Sequence, residues 1–253
     1  MNPFKVFIPT TRGTVRVLSI TREAPEIRSV ICIVGSFEAL PVSGSYDQFV
    51  RRPTGVIEKL LGEGSYRTDL DGPVTQGDSW QLGILLAHML EKSGGLVDSH
   101  CAPHGNGVIW ASGEVSPAMD IRPVDHIRQK FSESRVQLQA LHDNGETVTV
   151  LLHPSNHAEI ADLVPEDWII IATERALDAA AARLGAGGVD AKVADSAIHG
   201  AGVRVAGARF GAVGASNAAV DRLDVGSRAA LSAAAARAPL DQDGLDRRPR
   251  RGR

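Results

Sequence analysis

TQGDSWQLGILLAHML (residues 75–90) starts as a polar turn around a lone serine and runs directly into an apolar stretch. Gly77 and Asp78 precede Ser79. Leu82, Leu85, Leu86, Met89 and Leu90 then recur at three- and four-residue steps, the spacing of a helix face. The pattern places Ser79 at a helix N-terminus, with Gly94-Gly95 as the stop. Two readings of Ser79 follow. It is a nucleophile presented by the turn, or it is a cap whose hydroxyl accepts a backbone N–H from the first helical turn.

Outward from this segment, short Val/Ile-rich runs read as strands and longer periodic runs as helices. TVRVLSI (14–20), RSVICIVGSF (28–37), SYRTDL (65–70) and VIWASGEV (108–115) are strands. YDQFVRRPTGVIEKLLG (46–62) has a helical pattern, which Pro53 and Gly55 start or bend. A helix capped by Asp125 carries Ile127, Phe131, Leu138 and Leu141 on its apolar side and stops at Asn144-Gly145. TVTVLLHP is a buried strand, SNHAEIADLVP a short helix, DWIIIAT a strand and ERALDAAAARL a closing helix. Alternation of this kind predicts an α+β or α/β core.

The 253 residues, 43% of them hydrophobic, suit one domain with an appendage. From about Gly185 Glu disappears, Lys192 is the only lysine and Phe210 the only aromatic. The expectation is a domain over 1–185 and an Ala/Gly/Arg-rich, disordered extension over 186–253, because that segment offers too little apolar surface to offset its ordering. A net charge of −3 makes no case for nucleic acid. Cys32 and Cys101 are too few for a disulfide framework. MNPFKVFIPTTRG has no signal-peptide pattern, and no apolar run reaches the roughly 20 residues of a membrane span. A cytoplasmic protein without a membrane partner is expected.

Two histidine arrangements carry little. His100, Cys101 and His104 share a loop but lack a fourth ligand at a suitable distance. His153 and His157 lie four apart, yet no HExxH surrounds them and Pro154 interrupts a helix between them. No metal and no cofactor are expected. Trp80, Trp110 and Trp168 are expected to pack in the core. No GxxxxGK[ST] is present, so a nucleotide-driven motor is not part of this sequence.

From residue 14 to 184 the order of these words resembles the proteolytic domain of the Lon family. The family's serine turn has the form DGPSAG before an apolar helix, and QGDSWQLGILLAHML stands in that place. Its TGEV strand end corresponds to SGEV (112–115), and its apolar-Pro-apolar turn and helix to IRPVDHIRQKF (121–131). VLLHPSNHAEIADLVPEDW matches the strand ending in proline and the acidic turn that follows. The resemblance implies mixed sheets with packed helices and an endopeptidase with a Ser-Lys dyad. It also implies a protein or peptide substrate, assembly of several copies, and a separate ATPase partner if folded substrates are to be unfolded.

The sequence departs from the family twice. Trp80 and Gln81 follow the serine where Lon has small residues, and a competing register over Asp71-Gly72-Pro73 would put Val74 at the serine position. Laid against Lon, the partner lysine falls on Arg128, with Lys130 the nearest lysine. Arginine stays protonated and cannot act as the base. Residues two apart on a helix point about 200° apart, so Lys130, and likewise His126, would face away from Ser79 if Arg128 faces it. On this alignment activity is weak or absent, and Arg128→Lys raises it if the rest of the site survives; if the chain does cleave, Lys130 is the base that pairs with Ser79. The alternative is a non-catalytic Lon-type domain for protein interaction or ring assembly. The corresponding domains of a DNA-repair ATPase and of magnesium-chelatase-like competence proteins share the apolar-Arg-Pro-apolar turn.

Overall fold

A computed structural model describes residues 3–51, 55–97, 107–184 and 205–206. Its centre is a strand that the hydrophobic patterning did not single out: β1, Phe4–Thr10. Phe4, Val6 and Ile8 point to one face and Phe7 to the other, and all four are buried. β2 (Gly13–Glu23) returns antiparallel beside β1, and β4 (Ser65–Leu70) runs antiparallel to β2. β3 (Val30–Ile33) pairs parallel with β4. On the other side of β1, β5 (Gly107–Ser112), β8 (Thr147–Leu152) and β9 (Ile169–Ala172) add in parallel. A two-residue strand, β10 (Val205–Ala206), closes that edge antiparallel to β9. The order is β10-β9-β8-β5-β1-β2-β4-β3, and a separate ribbon joins β6 (Glu114–Val115) to β7 (Ile121–Arg122).

The sheet is apolar on both faces because its central strands alternate two apolar sets. Ile109, Ala111 and Leu151 join Val6 and Ile8 in one core; Val108, Trp110, Val148, Val150 and Leu152 join Phe7 in the other. The first core is covered by α1 (Ser43–Val50), α2 (Val56–Leu61), α3 (Gln81–Lys92) and α6 (Ala176–Leu184). The second is covered by α4 (Ile127–Asp143) and α5 (Pro154–Ile160). The result is a mixed α/β fold with helices on both faces of a mixed sheet.

α3 is buried at every position from Leu82 to Leu90, as a helix that is apolar all round must be. The one titratable group in that stretch is His88. Its Nε2 lies 2.9 Å from the Tyr46 hydroxyl, which lies 2.8 Å from Thr68 Oγ1, all inside the core. Burial pushes the His88 imidazole down to about 3 and raises the Tyr46 phenol. A second buried polar contact ties the centre of the sheet to its far side: Lys5 Nζ donates to Glu146 Oε1 at 2.7 Å, with both side chains almost wholly covered.

Several expectations are corrected in detail. The pattern over 46–62 forms two helices, α1 and α2, with residues 52–54 outside the described residues. His153 is the N-cap of α5, its Nδ1 accepting the Ser155 N–H, and Pro154 takes the first helical position. Pro is tolerated there because that N–H has no intrahelical partner in any case, so the proline starts the helix instead of interrupting it. The N-cap of α4 is His126, at φ 59°, and Asp125 is not the cap. The boundary expected at 185 lies at the edge of the described residues. Of the extension 186–253 only Val205–Ala206 are described, and they pair with β9; the rest lies outside the described residues. So does the loop with His100, Cys101 and His104. Among the described residues no group of His, Cys, Asp and Glu could hold a metal ion, and no helix is long and apolar enough to cross a membrane. Trp80, Trp110 and Trp168 are core residues, each at most 2% exposed.

Candidate functional site

β4 and β1 are both antiparallel to β2, so β1, β4 and β5 point the same way. Their carboxyl ends meet at one edge of the sheet, where an α/β fold commonly opens its binding crevice. A cleft of about 800 Å³ lies there. Its walls are the turn between β1 and β2, the loop from Asp71 to Ser79, Glu114, and the turn Pro123 to His126 that leads into α4, with Lys130 of that helix. Ser79 and Lys130 therefore line the same cleft.

The serine loop is held from below. Ser79 is half-buried, one residue before the N-cap of α3. That N-cap is Trp80, and no side chain accepts a capping hydrogen bond there, so the capping reading of Ser79 is corrected. The Gly113 N–H donates to the Ser79 carbonyl at 3.1 Å, and the Leu82 N–H donates to the Gly113 carbonyl at 3.1 Å. One residue at the end of β5 thus staples the turn to the sheet. A Cβ at Gly113 would lie 2.7 Å from Ile121 Cγ2 and 3.3 Å from Leu82 Cδ2, which explains a glycine in the SGEV word. Gly113→Ala should destabilise the domain by about 1–3 kcal/mol, the range for overpacking a filled site. Urea denaturation checks this; an unchanged midpoint would show that the ribbon β6–β7 yields freely. Gln81 adds a second tie, accepting from the Val115 N–H at 2.8 Å and donating to Asp78 at 3.1 Å. Val74, the competing serine position, is a core residue at 5% exposure.

Opposite, α4 settles which basic residue faces the cleft. Ile127, Lys130, Phe131, Ser134 and Leu138 are its buried residues. Lys130 lies on this stripe at 8% exposure. No hydrogen bond or ion pair satisfies its ammonium among the described residues. Loss of water holds Lys130 below the ordinary lysine pKa, against the opposing pull of the Asp125 carboxylate. Arg128 points outward. It makes a paired contact with Asp162, at 2.8 and 2.7 Å, and a bond to the Glu159 carbonyl at 2.9 Å. The expectation that Arg128 faces Ser79 is thereby corrected: Arg128 does not line the cleft. Nor does Arg128 reach Glu114, whose partner is Arg122 at 2.9 Å across the β6–β7 ribbon.

His126, set aside with Lys130 on the same angular argument, also lines the cleft. The two are four residues apart, and the Lys130 N–H donates to the His126 carbonyl at 3.0 Å. The signal that places Lys130 on the buried side of α4 lay in the sequence. It falls three residues after Ile127, on the stripe that carries Phe131 and Leu138, whereas Arg128 falls off it. The turn before α4 is fixed by Asn156, which sequence reasoning missed. Its side-chain amide accepts from the Val124 N–H at 2.8 Å and donates to the Val124 carbonyl at 2.9 Å.

A half-buried serine on a stapled turn and a buried lysine whose pKa is lowered are residue types from which a nucleophile and its base can be built. No protein-family model matches the chain, and no characterised protein matches it closely enough to show a relationship.

Proposed function

We propose that this chain is a Lon-type serine peptidase domain in which Ser79 is the nucleophile and Lys130 the base. One observation carries the reading: the lysine that shares a cleft with Ser79 is buried, without a partner among the described residues, and driven by desolvation toward its neutral form. A protonated lysine cannot take a proton, so burial supplies what a Ser-Lys dyad requires.

The chemistry follows from these groups. Lys130 Nζ takes the Ser79 hydroxyl proton as Oγ attacks the scissile carbonyl carbon. The developing oxyanion is met by backbone N–H groups of the serine turn. As the C–N bond breaks, Lys130 returns the proton to the leaving amine and an acyl ester on Ser79 remains. Water then attacks the ester with Lys130 again as base, which releases the acid and restores the serine. The open cleft suits an extended segment of unfolded polypeptide. Unfolding of folded substrates would fall to an ATPase outside residues 1–253, which contain no P-loop. The test is hydrolysis of casein by the full-length chain. Ser79→Ala should remove it; cleavage that survives Ser79→Ala would end the peptidase reading.

A second reading, a non-catalytic Lon-type domain that binds a protein partner or assembles into a ring, draws on Trp80 and Gln81. These are bulky residues directly after the serine, where the resemblance calls for small ones. Under that reading the purified chain cleaves nothing, and Ser79→Ala is indistinguishable from the natural protein.

A further inference from the structure

The same bulky residue has a place in the site. The Trp80 indole is 1% exposed, edge-on to Tyr46 at 6.2 Å and to Phe49 at 5.6 Å between ring centroids. Its Nε1–H donates to the Gly77 carbonyl at 2.6 Å. Gly77 sits at φ +75°, in the region that favours glycine. In a trans peptide the C=O and the following N–H point in opposite directions. With the Gly77 carbonyl drawn down onto the buried indole, the Asp78 N–H is turned away from the core. Gly77, Asp78 and Ser79 all line the cleft, and among the described residues none of their N–H groups donates to an acceptor. The buried, unpartnered Lys130 on the opposite wall marks this cleft as a built site in its own right.

We infer that Trp80 is a positioning residue: its indole N–H sets the Gly77–Asp78 peptide plane so that the Asp78 N–H serves as an oxyanion donor beside Ser79. This rests on the peptidase reading above. In place of a small residue after the serine, the chain uses a large one whose ring fills the core and whose single polar atom orients the turn.

The test compares Trp80→Phe and Trp80→His with the natural full-length chain. Phe keeps a ring against Tyr46 and Phe49 and loses the N–H; His keeps a ring N–H. Removing one oxyanion donor costs about 10²- to 10³-fold in rate, and misaiming one should cost less. Trp80→Phe is expected to lower kcat for casein by about tenfold or more with KM little changed, and Trp80→His to recover part of the loss. Trp80→Phe at natural kcat would overturn the inference, as would a loss that simply tracks a fall in Tm. Should both variants fail to fold, the natural protein still decides: its Trp80 indole N–H must be protected from hydrogen exchange, and exchange at the rate of a free indole overturns the inference. A natural protein no more active than Ser79→Ala removes the peptidase reading and this inference with it. An active natural protein with an unaffected Trp80→Phe removes the inference alone.

Discussion

If Ser79 and Lys130 form the proposed dyad, Lys130→Met is expected to leave the domain folded and to lower casein hydrolysis by about 10²- to 10⁴-fold, the usual worth of a positioned base. Met has nearly the same length and suits the apolar stripe of α4, so a loss of activity cannot be charged to a cavity. Removing a buried amine that lacks a partner should leave stability unchanged or raised, because burying an unpaired charge is costly. Lys130→Arg is expected to be equally inactive, since a guanidinium does not give up its proton. The pH dependence has a definite sign. In the proposed dyad the active form is the neutral amine, and desolvation lowers its pKa, so activity is expected to fall as pH drops through that lowered value. The rising limb of kcat/KM against pH must therefore lie below the ordinary lysine range. Arg128→Ala, on the solvent side of the same helix, should change little. Full activity in Lys130→Met would sink the dyad, whatever Ser79→Ala shows.

The second large effect is on stability in acid. His88 is neutral in the folded chain down to pH about 3, whereas an exposed histidine takes its proton near 6.5. Its folded pKa is depressed, so between those values the unfolded chain binds one proton more than the folded one. Stability is complete above about pH 6.5 and is lost as pH falls, by about 1.4 kcal/mol per unit for this single group. His88→Gln offers Tyr46 a neutral hydrogen-bonding partner that does not titrate. Urea denaturation between pH 7 and 4 should show a shallower decline for His88→Gln than for the natural chain. Parallel declines would mean that the core opens enough to let His88 protonate in place.

How much of this was legible in the sequence differs from element to element. The helix after Ser79, its end at Gly94, and the helix ending at Asn144-Gly145 were legible because periodicity and turn residues agree there. β1 was missed because FKVFIP, read as an N-terminal segment, shows no clean alternation. Both of its faces are buried and its one charge, Lys5, is satisfied only by Glu146, far along the chain. The strand expected over 28–37 is only Val30–Ile33, because the chain turns at Gly35, φ +76°. At the site, Ser79 was found from local signals alone. The burial of Lys130 was misjudged because the alignment that faced Arg128 inward was given more weight than the apolar stripe of the same helix. Asn156 and Gly113 were beyond reach, since each works through contacts between segments distant in sequence.

The central place of β1 carries a consequence for how the chain acquires its structure. β1 can pair at once with β2 through a short turn, but its other edge waits for β5, and Lys5 meets Glu146 only across 141 residues. Contacts of such long range slow folding, because loop closure must precede the contacts that reward it. On the ribosome, at about 5–20 residues per second, that leaves an apolar strand with one bare edge for several seconds before its partner emerges. A bare apolar edge is a template for pairing with another chain. Chaperone demand and inclusion-body formation should therefore be governed by the interval between synthesis of β1 and of β5. Synonymous changes that slow translation between them should raise aggregation while leaving the mature protein identical.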